Sequence, residues 1–156
     1  MAERKASRGA SGRGKEADGR EAWHRILRLS RRVLDELDAR LDAEHRIGVN
    51  EFDVLITLDN AADRRLRMTD LAQAVMLSSG GLTRLVGRLE GRGLVQRIPD
   101  PRDARSFYAT LTEDGSALLA AARVTHDRVI EALLGAKLSA SEVRSLSRAL
   151  GRALAA

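Results

Sequence analysis

Between Met68 and Leu111 the spacing of apolar residues changes period, and few folds accept that order. In "MTDLAQAVML", Leu71, Ala72 and Val75 fall on one helical face. Thr69 is placed as an N-cap, and Asp70 puts negative charge in the first turn, where the helix dipole favours it. The next stretch, "SSGGLTRLVGRLEGRGLVQR", repeats the helical spacing with Leu82, Leu85, Val86 and Leu89. Ser78 or Ser79 caps it, and Gly91 and Gly93 stand where it should end. Then the period shortens. "LVQRI" and "SFYATL" have β-type composition and flank "PDPRDAR", a tip rich in turn residues. Two short helices joined by a tight turn and followed by a β-hairpin predict a winged helix-turn-helix.

Helical patterns flank this unit on both sides. Trp23, Leu27, Ser30, Leu34, Leu37 and Leu41 alternate steps of four and three, widened by Ile26 and Val33. Such a heptad-like seam packs within a chain or across a dimer. A second helix is expected from Asn50 as N-cap, with Val49 and Val54 as a hydrophobic staple and Phe52, Leu55, Ile56 and Leu58 as apolar surface. After the hairpin, Thr112 caps a helix carrying Leu118, Leu119, Val129, Ile130, Leu133 and Leu134. "SASE" opens the last helix with a capping box of Ser139 and Glu142, and Val143, Leu146 and Leu150 follow. The expected fold is mainly α with a small β-hairpin: a winged helix-turn-helix flanked by dimerisation helices. Residues 1–20, with six basic residues, three acids and no apolar period, are expected to be a disordered basic tail. Residues 21–156 are expected to form a single domain. Within it, a DNA-reading part covers about 62–112, and dimerisation helices cover about 21–46 and 113–154.

Composition narrows the function. The only aromatics are Trp23, Phe52, Phe107 and Tyr108, so the core is aliphatic. With no cysteine, disulfides, thiolate metal sites and thiol redox chemistry are excluded. His24, His45 and His126 are isolated, so no metal or other cofactor is expected. Neither an apolar signal segment nor a long apolar run occurs, which makes the cytoplasm the expected location and a membrane partner unexpected. A nucleophile with its base, a phosphate loop after a strand and paired carboxylates with a histidine are all missing, so no enzyme is expected.

Net charge is +5, and it is unevenly spread. Residues 62–112 hold nine arginines against five acids, whereas residues 21–61 hold six against nine. A polyanion is the expected partner of the basic part. If Leu82, Leu85, Val86 and Leu89 face inward, Gly80, Arg84, Gly87 and Arg88 point outward at about 100° per residue, with Thr83 on the flank. Glycines let a backbone approach closely, hydroxyls and free N–H groups bind phosphates, and arginine reads guanine edges. Candidate DNA contacts are Thr69, Ser78, Ser79, Gly80, Thr83, Arg84 and Arg88, joined by Arg102, Asp103 and Arg105 at the hairpin tip. There Asp103 is placed to orient an arginine into a minor groove.

The run "LRMTDLAQAVMLSSGGLTRLVGRLEGRGLVQRIPDPRDARSFYATLTEDG" resembles the MarR (multiple antibiotic resistance regulator) family of bacterial transcription factors. The resemblance rests on the small-residue Thr-Arg-Leu-Val helix, Gly-Leu-Val at the hairpin start, Asp-x-Arg at 103–105 and Leu111-Thr112 opening the next helix. It implies a homodimer on a pseudo-palindromic double-stranded operator, with Trp23, Leu27, Leu34, Leu37, Leu146 and Leu150 in the interface. It also implies repression relieved by a small, often anionic or phenolic, effector. A urate-responsive branch uses a tryptophan, an aspartate on the second helix and two arginines. Trp23, Asp53 and Arg97 are the matching ligand candidates, and Leu85 stands where the second arginine would be, which counts against urate. The alternative is a protein-interaction module on the same fold, antirepressor-like, with only general DNA affinity.

Overall fold

In a computed structural model, the backbone of residues 6–155 and the side chains of residues 18–155 apart from Ala104 are described. Among the described residues, six α-helices and three strands follow the expected order except for β1, which was not expected: α1 (Ala6–His45), α2 (Val49–Asn60), β1 (Arg65–Arg67), α3 (Met68–Ala74), α4 (Ser79–Gly91), β2 (Val95–Asp100), β3 (Asp103–Leu111), α5 (Glu113–Leu133) and α6 (Ala140–Leu154). Of the stretch expected as a tail, residues 1–5 lie outside the described residues, and the backbone is helical from Ala6. The chain divides into two units, Met1–Asp35 and Glu36–Ala156.

The core of the second unit is aliphatic. Leu41 and Ile47, Val54, Leu55 and Leu58 of α2, Leu71 of α3, and Leu119 and Val129 of α5 are all buried, with Phe52 the one aromatic beside them among the described residues. All four inward residues of α4 (Leu82, Leu85, Val86 and Leu89) are buried as their spacing requires. Leu37, expected in the dimer seam, is buried instead in this core, because the last two turns of α1 pack inward. Here α1 is tied to α5 by hydrogen bonds. The buried Thr125 hydroxyl donates to Glu44 Oε2 at 2.7 Å, so His45 Nε2, at 2.8 Å from the same oxygen, must be the donor. Arg128 donates to both Glu44 oxygens at 2.5 and 2.7 Å.

Two helix starts differ from expectation. α2 is capped at Gly48, and Asn50 lies inside the helix. Two carboxylates serve the start of α2, one local and one from α1: Glu51 Oε2 accepts the Gly48 N–H at 3.1 Å, and Asp38 Oδ1 of α1 accepts the Val49 N–H at 2.9 Å. The apolar pair flanking this cap becomes Ile47 and Phe52 in place of Val49 and Val54. Likewise α3 starts at Met68 after an extended Arg67, and the Thr69 hydroxyl donates to Asp70 at 3.2 Å instead of capping. Arg67 is extended because it ends β1, so the helix can begin only after it.

β1 makes the expected hairpin a three-stranded antiparallel sheet of order β1-β3-β2. It pairs Arg65, Leu66 and Arg67 with Thr110, Ala109 and Tyr108. β2 and β3 pair from Val95–Leu111 to Pro99–Phe107, where the register shifts. The strands run further than expected, through Asp100 and from Asp103, so the long tip expected over "PDPRDAR" shrinks to Pro101 and Arg102; the starts of α4 and α6 are as expected. Ser78 caps α4 by accepting the Gly81 N–H at 3.2 Å, and Ser139 and Glu142 form the capping box of α6. Between α3 and α4, Met76 turns the chain at φ 52° with 91% of its surface exposed.

α4 reaches the wing through Gly93, whose φ of +71° ends the helix. The N-terminus of α5 abuts this junction. Thr112 donates its hydroxyl to Gly93 O at 2.6 Å and its N–H to Leu94 O at 3.2 Å, and its hydroxyl accepts the Gly115 N–H at 3.0 Å. A Cβ on Gly115 would stand 1.9 Å from Leu94 O. Among the described residues no helix is long and apolar enough to cross a membrane.

Candidate nucleic-acid interface

The outward face of α4 is built as its spacing demands. Ser78, Ser79, Gly80, Thr83, Arg84 and Arg88 are exposed. The Thr83 hydroxyl donates back to Ser79 O at 2.8 Å, so only its lone pairs remain for a partner. Added Cβ atoms at Gly80 and Gly87 would meet nothing within 4 Å. Packing of this chain therefore does not require glycine at either site.

The arginines of this region fall into two groups. Arg84, Arg102 and Arg105 are exposed, and their guanidinium groups enter no ion pair among the described residues. Arg88 differs from the expectation of a free cation: its Nε lies 3.6 Å from Glu51, which also lies 3.6 Å from Arg92. Arg97, a ligand candidate, is held by Glu90 through Nε at 2.9 Å and Nη2 at 2.6 Å. That pairing keeps the Glu90 carboxyl below its ordinary range.

Asp103 orients the wing tip through the backbone, not through a guanidinium. Oδ1 accepts the Arg105 N–H at 3.0 Å and Oδ2 accepts the Ser106 hydroxyl at 2.6 Å. The hydroxyl is the larger cause of the lowered Asp103 pKa, and the N–H adds to it. Sequence reading missed the nearby pair of Arg67 and Asp100 (Nη2–Oδ2, 2.5 Å). Asp100 reads as a turn residue in "PDPRDAR", and its partner lies 33 positions away.

A cleft of about 240 Å³ lies between α3, α4 and the wing. It brings Thr69, Thr83 and Arg105 together with Arg67 and Arg97. The other two ligand candidates are not on its lining. Partial burial raises the Asp53 carboxyl above its ordinary value, and the His126 charge opposes this. His126 stacks on Phe52 with ring centroids 5.0 Å apart. Trp23 is 56% exposed in the first unit. No group of three or more His, Cys, Asp or Glu side chains able to hold a metal ion occurs among the described residues.

Comparison with known proteins gives concordant results. A family profile described as MarR family matches residues 47–106. The HTH-type transcriptional regulator MhqR of Bacillus subtilis is 30% identical over 127 residues, covering 81% of this chain and 85% of that protein. The HTH-type transcriptional regulator SarZ of Staphylococcus haemolyticus is 32% identical over 88 residues, covering 56% of this chain and 58% of its own length. The chain thus spans less than two thirds of that relative. Among solved structures, Sco3205 from Streptomyces coelicolor, a MarR family transcriptional regulator in complex with DNA, superposes with a TM-score of 0.80 at 26% identity, covering 88% of this chain and 86% of that one.

Proposed function

The chain belongs to the MarR family, and from that premise we propose that it is a homodimeric, sequence-specific DNA-binding repressor released by a small ligand. One observation carries the DNA part. Arg84, Arg102 and Arg105 are exposed, without ion pairs among the described residues, on the recognition helix and at the wing tip, beside a helix start bared by Ser79 and Gly80. Arginines kept from internal partners match the phosphates and guanine edges of a duplex. In this reading α4 enters the major groove, and Thr69, Ser78, Ser79 and Thr83 hold phosphate or base edges. Arg88 joins them by leaving Glu51. Arg102, whose N–H is held by Asp100, and Arg105, whose N–H is held by Asp103, reach the adjacent minor groove. The DNA-reading part covers about residues 62–112 within one domain, 21–156.

Dimerisation is supported by apolar surface on the flanking helices. Trp23 and Leu34 of α1 are 56% and 48% exposed, and Val143, Leu150 and Leu154 of α6 are exposed as well. Leu27 and Leu146 complete the proposed interface. An anionic or phenolic effector suits the arginine-lined cleft beside the recognition helix, where it would compete with DNA. The regulator would work in the cytoplasm, with the chromosome.

The test is fluorescence anisotropy at physiological salt, using the DNA upstream of the protein's own gene and a shuffled duplex of equal composition. Preference for the natural duplex of about a thousandfold or more supports a specific regulator. Equal, salt-sensitive binding to both would favour the interaction-module reading. Arg84→Ala should lower the preference more than it lowers general affinity, and light scattering should give twice the chain mass.

A further inference from the structure

The geometry points to Arg67 and Asp100 as a positioning pair that fixes the wing against the helix-turn-helix, so that Arg102 and Arg105 meet the duplex read by α4. This rests on the DNA-binding reading above. The wing needs such a tie. β1 supports β3 only at residues 108–110, so the ribbon from Pro99 to Phe107 extends beyond the third strand. A two-stranded ribbon is weak and twists readily on its own.

Asp100, at the end of β2, is 3% exposed, and both its oxygens are used. Oδ1 accepts the Arg102 N–H at 2.9 Å and so shapes the tip turn. Oδ2 accepts Arg67 Nη2 at 2.5 Å. From the same guanidinium, Nε donates to Tyr108 Oη on β3 at 3.2 Å, and its carbon lies 5.7 Å from the Tyr108 ring centroid. One side chain therefore grips both strands of the wing. Its backbone ends β1 and immediately precedes α3, the first helix of the helix-turn-helix. Arg65 flanks the same ring at 5.2 Å, which helps to hold the tyrosine in place. Arg67 is the ion-pair partner of buried Asp100, so removing its charge leaves a buried carboxylate uncompensated and loosens the wing on its seat.

Two measurements separate positioning from direct contact or simple stability. In free protein, Arg67→Met should speed amide exchange in the wing, Ile98 to Phe107, at least tenfold while α4 amides stay unchanged. Unchanged wing exchange would overturn the proposal without any reference to DNA. On the natural upstream duplex, Asp100→Asn should weaken binding about tenfold, with little effect on the shuffled duplex. The same substitution in an Arg102→Ala/Arg105→Ala background should change affinity less than twofold, because the cations it positions are gone. Equal losses in both backgrounds would mean that the pair touches DNA itself or only supports the fold, and would refute it. Arg67→Lys, which keeps the charge and loses the Tyr108 bond, repeats the cycle if Asp100→Asn does not fold. A parent protein that fails to distinguish the two duplexes would refute the DNA reading, while the exchange result would still stand on its own.

Discussion

Gly80 and Gly87 weaken a helix that no packing constraint prevents from carrying alanine there. Replacing both should therefore stabilise the protein and damage its binding. A mid-helix glycine costs about 0.8–1 kcal/mol relative to alanine, so Gly87→Ala should recover nearly all of that. Gly80 lies in the first turn, where about half is a fair expectation. The two sites are seven residues apart, about 10 Å along the axis, so the gains should add to roughly 1–1.5 kcal/mol. For a chain of 156 residues that corresponds to about 3–5 °C in Tm. Against this, each methyl group would stand where the helix is proposed to meet DNA. Loss of one base-edge contact costs about 1–3 kcal/mol, so operator affinity should fall about tenfold or more. Thermal melting and anisotropy on the same preparation read both quantities. A more stable variant with unchanged operator affinity would refute the claim that the glycines serve DNA approach. Absence of any stability gain would refute the reading of open space around the two positions.

Other outcomes follow from single features of the fold. Gly115→Ala should destabilise by about 2–3 kcal/mol in urea titration, because the new methyl group meets the Leu94 carbonyl, a backbone group that cannot turn aside. Met76→Gly should raise the urea midpoint by the equivalent of about 0.5–1 kcal/mol, since Met76 holds a left-handed φ of 52° while almost wholly exposed. Glu44→Gln should lower the urea midpoint at neutral pH. The Thr125 hydroxyl first and Arg128 second depress the Glu44 carboxyl below its ordinary 4.5, so its contribution is complete above that pH. The gap to the parent should narrow below pH 4.5 and vanish once the pH falls through the depressed value; a gap that persists there would assign the loss to packing.

Legibility in the sequence followed the range of the interactions involved. α4 could be read completely, because four inward residues at helical spacing, one serine cap and a terminal glycine are all local. Thr112 and the Ser139–Glu142 box were legible for the same reason. β1 was not. Three residues have no period, and the strand exists only because β3 offers an edge 41 to 45 positions away. The start of α2 was misplaced because its caps come partly from Asp38, eleven residues back on another helix. Within the candidate site, the sequence singled out Arg84, Arg88, Arg97, Arg102 and Arg105 but neither Arg67 nor any of the pairings. Glu51 holds Arg88, Glu90 holds Arg97 and Asp100 holds Arg67, and only the fold makes those pairs neighbours. Leu37 shows the same limit: a heptad position does not say whether its partner is the same chain or another.

The junction at Leu94 joins the end of the recognition helix, the root of the wing and the start of α5 through bonds to Thr112 and the close seat of Gly115. Opening the helix end, the root of the wing or the start of α5 breaks bonds or packing shared with the other two. Their amides should therefore exchange with one shared opening free energy, as a single cooperative unit. In the proposed regulator, a ligand that strained α5 would then loosen the end of the helix and the root of the wing together, favouring two states, engaged or free.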